Sequence, residues 1–205
     1  GGNKGCVYGC LGYGDCVQAC KFDSIYIIDG LNVTEKSICT GCGACAKACP
    51  RNLIDIVPIS KKVHVLCKSC DKGAAVTKVC AVGCIACKKC EKVCPTDAIH
   101  VENYLAVIDY EKCVNCGKCA AECPTNCILD EVEQRYDYEI TSDCTGCTLC
   151  MKKCPVQAIT GEKKQLHTLD KSKCIQCGIC FDACKFNAVR RIDPQNVATH
   201  MIRDD

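Results

Sequence analysis

Apolar residues in this chain come in short bursts broken by charge and glycine. Ile25-Tyr26-Ile27-Ile28 is followed by Asp29-Gly30 and then Leu31-Asn32-Val33. Asp-Gly is a strong two-residue turn signal, so this stretch predicts a β-hairpin. Ile99-His100-Val101 and Ala106-Val107-Ile108 flank Glu102-Asn103-Tyr104 in the same way. Between the hairpins the chain has room only for short helices, such as Cys45-Ala46-Lys47-Ala48-Cys49 before Pro50. Proline ends a helix and holds the residue before it extended. Nowhere do 18 apolar residues run together, so no segment reads as a membrane-spanning helix. No stretch of this sequence reads as a signal peptide. The chain starts at Gly1-Gly2-Asn3 without a methionine, as a fragment or processed product would.

Cysteine changes this picture. The chain has 28 cysteines in 205 residues, no Trp and only 3 Phe, so hydrocarbon alone cannot supply a large core. Such a density suits a disulfide scaffold or a zinc protein, but the spacing fits neither. Four runs read C-x₂-C-x₂-C-x₃-C-Pro: Cys39/Cys42/Cys45/Cys49, Cys84/Cys87/Cys90/Cys94, Cys113/Cys116/Cys119/Cys123 and Cys144/Cys147/Cys150/Cys154. A fifth, Cys174/Cys177/Cys180/Cys184, has Lys185 in place of proline. A sixth, Cys6/Cys10/Cys16/Cys20, is stretched and ends in Lys21. The flanks repeat too: Cys20-Lys-Phe-Asp-Ser-Ile echoes Cys184-Lys-Phe-Asn-Ala-Val. Three thiols at every third position, followed by a fourth, are what a [4Fe–4S] cubane needs. Gly41, Gly43, Gly117, Gly146 and Gly178 stand where the backbone must bend round the cluster.

In two-cluster ferredoxins of this motif, the fourth cysteine of each run serves the other cluster. That rule pairs Cys84/Cys87/Cys90 with Cys123, and Cys113/Cys116/Cys119 with Cys94. It pairs Cys144/Cys147/Cys150 with Cys184, and Cys174/Cys177/Cys180 with Cys154. At the N-terminus it pairs Cys39/Cys42/Cys45 with Cys20, and Cys6/Cys10/Cys16 with Cys49. The expected fold is therefore α+β, a tandem of bacterial-type 2[4Fe–4S] ferredoxin-like domains. Expected boundaries are residues 1–60 for the first domain, 61–83 for a cysteine-containing insert, 84–135 and 136–192 for the second and third domains, and 193–205 for a polar tail. Six clusters, each adding two negative charges, would take the formal charge from +2 to about −10. An acidic loaded protein argues against nucleic acid as a partner.

Cys67, Cys70, Cys80 and Cys127 are left over. Lys4-Gly5-Cys6-Val7-Tyr8-Gly9-Cys10 echoes Lys78-Val79-Cys80-Ala81-Val82-Gly83-Cys84, which makes Cys80 surplus to its run. These four are either structural thiols or the ligands of a seventh cluster. No dinucleotide or P-loop fingerprint is present, so neither flavin nor nucleotide is expected. His64 and His100 alternate with apolar residues and read as strand positions, while His167 and His200 are isolated. Lys61-Lys62, Lys88-Lys89 and Lys152-Lys153 lie near cluster runs, as solvated lysines, docking charges or counter-charges.

The stretch from Cys6 to Cys20, with Cys39-Thr-Gly-Cys-Gly-Ala-Cys, Cys67-x₂-Cys-Asp-Lys-Gly73 and Gly83-Cys-Ile-Ala-Cys-Lys-Lys-Cys90, resembles the B subunit of the Rnf electron-transport complex. The likeness covers residues 4–130. Residues 144–190, with Ala158-Ile-Thr-Gly-Glu-Lys-Lys and His167, also resemble C-terminal ferredoxin modules of NADH-dependent hydrogenase subunits. The first resemblance implies a membrane-bound, ion-pumping ferredoxin:NAD oxidoreductase with flavins on other subunits. This chain would be an electron-relay subunit without a catalytic site of its own. It would exchange electrons with soluble ferredoxin and with the other subunits of the complex. Its place would be the cytoplasmic face of the membrane, as the soluble part of a longer, anchored subunit. The alternative is a soluble polyferredoxin that carries electrons for a hydrogenase or another soluble oxidoreductase.

Overall fold

The computed structural model describes residues 5–194, so most of the expected tail at 193–205 lies outside the described residues. The first domain holds α1 (Asp15–Gln18), the hairpin of β1 (Ile25–Ile28) and β2 (Leu31–Thr34), and α2 (Ala44–Ala48). Ile28 pairs with Leu31 across the Asp29-Gly30 turn, in the register the turn chemistry requires. Next come β3 (Val63–Val65) and α3 (Gly73–Val79), then α4 (Lys89–Val93), β4 (Ile99–Glu102), β5 (Leu105–Ile108), α5 (Lys118–Ala121) and β6 (Ile128–Asp130). The third domain has β7 (Asp137–Ile140), α6 (Leu149–Lys153), β8 (Ile159–Thr160), β9 (Thr168–Leu169), α7 (Ile179–Ala183) and β10 (Val189–Ile192).

The second and third domains share one plan. An inner hairpin (β4–β5 or β8–β9) joins the two cysteine runs, and an outer antiparallel pair (β3–β6 or β7–β10) closes the domain. The two short helices pack on each other: α4 on α5, α6 on α7, and α1 on α2 in the first domain. The stretch 61–83, expected as an insert, supplies β3 to the second domain, where Val63 is 1 % exposed. That domain therefore begins some twenty residues before its first cysteine run.

Cysteines form part of the cores. One cluster joins Val63, Ile99, Ala106 and Ile128 to Cys84, Cys90, Cys119 and Cys127. The other joins Tyr138, Ile159 and Val189 to Cys150 and Cys180. Among the described residues, no helix is long and apolar enough to cross a membrane.

The five regularly spaced cysteine loops bend at matching places whatever residue stands there. Gly41, Ala86, Asn115, Gly146 and Gln176 have φ between +54° and +68°. Gly43, Lys88, Gly117, Thr148 and Gly178, each just before a helix, have φ between +60° and +78°. A third bend falls three residues after the last cysteine of every run. There Asp23, Asn52, Asp97, Asn126, Gln157 and Asn187 have φ between +50° and +53°. Asn and Asp tolerate this left-handed geometry better than most side chains, which accounts for five of those six. Cys49, Cys94 and Cys154 end their helices with extended backbone before proline. Cys184 adopts the same geometry before Lys185, so the turn does not depend on proline.

Candidate metal centres

The loops bring the runs together in crossed fashion. In the third domain, a recess of about 300 Å³ is lined by Cys144, Cys147 and Cys150 together with Cys184 from the other run. The opposite set also meets: Cys177 lies in the field of Cys154 and Cys174. In the second domain, Cys90 lies in the field of Cys84, Cys87 and Cys123. Cys113 lies in that of Cys116 and Cys94. In the first domain, a recess of about 330 Å³ is lined by Cys10, Cys16 and Cys49. Cys45 faces Cys39 and Cys42, while Cys20 contacts Ser24 Oγ at 3.3 Å. Cys6 does not line that recess; together with Asp71 and Cys70 it raises the Tyr8 phenol, after desolvation.

Burial, helped by neighbouring sulfurs, raises the thiols of Cys16, Cys45, Cys113, Cys150 and Cys177, whereas hydrogen bonds lower those of Cys20 and, against burial, Cys123. Burial pushes Cys90 up to about 11, and Cys119 and Cys180 up to about 12, with adjacent cysteines adding to the rise. Several thiols crowded into a dry loop cannot all ionise unless a cation shares the site. A [4Fe–4S]²⁺ core is such a cation, and the donor set, all sulfur, suits iron–sulfur chemistry. Among the described residues, no three His, Cys, Asp or Glu side chains gather tightly enough for a single metal ion. Cys144, Cys147, Cys150 and Cys184 instead surround a recess, as do Cys10, Cys16 and Cys49.

Four contacts escape the sequence pattern. His167, 1 % exposed, places Nδ1 at 3.7 Å from both Cys144 Sγ and Cys150 Sγ. Nothing in its spacing marks it, because it reaches the recess from the loop between β8 and β9. Lys61 Nζ donates to the Cys113 carbonyl at 2.7 Å and lowers the Cys113 thiol against the larger effect of burial. It therefore serves as a counter-charge at the loop, not as a free docking residue. Arg135 Nη2 bonds Asp130 Oδ2 at 2.6 Å and the Asn115 carbonyl at 3.1 Å, over Gly117, where a Cβ would lie 2.1 Å from Asp130 Oδ2. Cys127, 3 % exposed, lies 3.6 Å from Cys123 Sγ and bonds Cys84.

Three of the four surplus cysteines, Cys67, Cys80 and Cys127, lie against the Gly83-Cys84 stretch. Leu66 N–H donates to the Cys127 carbonyl at 2.8 Å, and Cys84 N–H donates to Cys67 Sγ at 3.3 Å. Cys67 and Cys127 thus flank Cys84. Cys80 sits beside Gly83 and Val76, and Cys70 lies towards Tyr8. His64 and His100 are strand residues as read: His64 meets the Tyr110 hydroxyl at 3.0 Å, and His100 meets the Asp97 carbonyl at 3.1 Å.

Family models described as 4Fe–4S dicluster domains match residues 38–98 and 83–127, residues 106–161 and residues 143–189. The chain carries 4Fe–4S dicluster domains in tandem. The matched spans begin at residue 38, so Cys6 and Cys20 rest on the repeat, and Cys10 and Cys16 on the repeat and the first-domain recess. The resemblance to the Rnf B subunit is equally direct. The B subunit of the ion-translocating oxidoreductase complex of Methanosarcina acetivorans is 56 % identical over 110 residues, covering 53 % of this chain and 42 % of that one. The B subunit of the Na⁺-translocating ferredoxin:NAD⁺ oxidoreductase complex of Acetobacterium woodii is 49 % identical over 134 residues, covering 65 % of this chain and 40 % of that one. The proton-translocating counterpart from Clostridium ljungdahlii is 49 % identical over 110 residues, covering 53 % of this chain and 39 % of that one. The matched part is about two fifths of the length of these relatives.

Proposed function

We propose that this chain relays single electrons through six [4Fe–4S] clusters, two in each domain. It would do so as the iron–sulfur subunit of a ferredoxin:NAD⁺ oxidoreductase complex. The observation that carries the reading is the recess shared by Cys144, Cys147, Cys150 and Cys184, because a fourth thiol arriving from the neighbouring run ties two clusters into one domain. The proposed ligands are Cys6/Cys10/Cys16 with Cys49, Cys39/Cys42/Cys45 with Cys20, and the crossed sets of the second and third domains.

The clusters, when bound, supply one-electron chemistry. The chain's own residues hold them apart from water, fix their spacing and set the charge around them. Reduced ferredoxin is the proposed external partner. A nicotinamide exchanges two electrons as hydride, so a flavin on another subunit would couple it to these one-electron centres. Lys152 and Lys153 are exposed at the end of α6 and form the proposed docking charge for an acidic ferredoxin.

The test uses the purified, flavin-free, loaded protein under strict anaerobiosis. Bleaching of its visible absorbance by reduced ferredoxin, and not by NADH, is expected. Rapid bleaching by NADH alone would overturn the relay assignment. Iron near 24 per chain is expected from the six ligand sets. A value near 28 would mean a seventh cluster, and one near 12 would mean that half the runs hold none.

A further inference from the structure

Four residues beyond the last cysteine of each run, the chain returns to the cluster loop. Ser24, Ala98, Cys127, Ala158 and Ala188 occupy this place and are 1–3 % exposed. The left-handed residue just before turns the backbone back. Leu53, Ala98 and Ala158 thereby donate N–H bonds to Cys49, Cys94 and Cys154 at 3.4, 3.2 and 3.3 Å. At most of these positions the side chain can offer nothing more. Two positions differ: Ser24 Oγ lies 3.3 Å from Cys20 Sγ, and Cys127 Sγ lies 3.6 Å from Cys123 Sγ.

A third donor arrives by another route. His167 Nδ1 stands 3.7 Å from Cys144 Sγ and Cys150 Sγ, while its buried Nε2 has no partner. Room for the ring depends on Gly161, where a Cβ would lie 2.4 Å from His167 Cδ2. The three contacts fall on three different clusters, one in each domain.

We infer that Ser24, Cys127 and His167 are tuning residues, each raising the reduction potential of one cluster by a hydrogen bond to its ligand thiolates. The inference rests on the crossed ligand sets proposed above. The direction of each bond follows from charge: a ligand thiolate has given up its proton, so the hydroxyl, the thiol of Cys127 and the imidazole N–H must donate. Reduction adds one electron from an external donor, taking a cluster with its four thiolates from 2− to 3−. No bond breaks and no proton moves. A donor aimed at sulfur favours the more negative state, and burial strengthens the effect. Thr96 and Thr125 hydroxyls lie at 3.8 and 3.7 Å from Cys94 and Cys123, one for each cluster of the second domain, so they do not distinguish the two. Lys61 adds its charge to the Cys113 loop, on the other cluster of that domain.

The experiment is a potentiometric titration of the full loaded chain, followed by electron paramagnetic resonance and visible absorbance. Ser24→Ala, Cys127→Ala and His167→Phe should each keep the parent's iron and sulfide. Each should also move one of six electrons to lower potential. A tenfold fall in that cluster's equilibrium constant for reduction corresponds to about 59 mV for a one-electron couple. Ser24→Thr, Cys127→Ser and His167→Gln retain a donor and should restore most of the shift, which a merely structural role would not produce. Full iron with unmoved potentials would overturn the inference. So would loss of a whole cluster from Cys127→Ala, since Cys127 would then be a ligand. Parent iron far below 24 would instead refute the ligand sets themselves.

Discussion

Replacing Cys154 with alanine asks which cluster the fourth cysteine of a run serves. Cys154 closes α6 with extended backbone, and its thiol accepts the Ala158 N–H at 3.3 Å. Cys177 lies in its field, whereas the recess of Cys144, Cys147 and Cys150 is completed by Cys184. Cys154→Ala should therefore remove a ligand from the cluster of Cys174, Cys177 and Cys180 and leave its own run intact. If that cluster is lost, iron falls from about 24 to about 20 per chain, with sulfide in step.

One variant cannot say which cluster went, but two pairs can. Residues that serve one cluster are non-additive, and residues that serve different clusters add. Cys154→Ala with Cys177→Ala should still leave about 20 irons, because both strike one cluster. Cys154→Ala with Cys147→Ala should leave about 16, because two clusters are struck. Iron and acid-labile sulfide assays on anaerobically purified protein read the result, and the electrons taken up in a reductive titration check it. The reverse pattern, about 16 for the first pair and about 20 for the second, would refute the crossing.

Thr148 holds φ +67° without a side-chain capping bond, where Gly43, Gly117 and Gly178 stand in other runs. Thr148→Gly should relieve about 1 kcal/mol of strain and slow cluster loss in denaturant, and faster loss would show that Thr148 holds something else in place. Stripping iron with a chelator under reducing conditions should abolish native circular dichroism, since cysteines are built into both cores; a retained native spectrum would show that hydrocarbon packing suffices. Arg135→Leu leaves Asp130 without its partner beside the Cys113 loop and should cost about 1–3 kcal/mol in thermal unfolding; an unchanged melting temperature would mean that the pair is neutral. Lys152→Glu with Lys153→Glu should slow electron transfer from reduced ferredoxin, most at low salt, and an unchanged rate would put the docking surface elsewhere.

The local features of the fold were legible because they are local. The hairpins at Ile25–Thr34 and Ile99–Ile108 follow from turn residues and flanking apolar runs, and the helices follow from the cysteine spacing and proline. The outer pairs β3–β6 and β7–β10 join segments more than 40 residues apart, and no turn signal links them. Hence Val63–Val65 read as part of an insert although it is a core strand of the second domain. His167 reaches its cysteine loop by a loop excursion that spacing does not mark, while Lys61, readable as a counter-charge, is brought by the long-range pairing to the Cys113 loop 52 residues away. The left-handed residue after each run is different: Asp or Asn stands there in five of six runs, and the chemistry of left-handed turns could have found it.

Strain gives a reason to expect that the loops depend on the proposed clusters. Ala86, Lys88, Asn115, Thr148 and Gln176 are held left-handed without being glycine. Each costs up to about 1–2 kcal/mol, with Asn115 the least strained. Among the described residues, the buried branched aliphatics are Ile25, Val63, Val76, Ile99, Ile128, Ile159, Ile175 and Val189. Apart from Ile175, that packing lies on strands and α3, away from the loops, whereas bonds from the proposed thiolate ligands to iron would act at the strained loops themselves. Loops locked in this way leave evolution little freedom to move the ligands. What can still vary is the shell around them: a serine, a thiol or an alanine four residues on, a lysine at a loop carbonyl, a histidine over a recess. If six chemically similar clusters are to differ in potential, those neighbours are where this fold can make the difference.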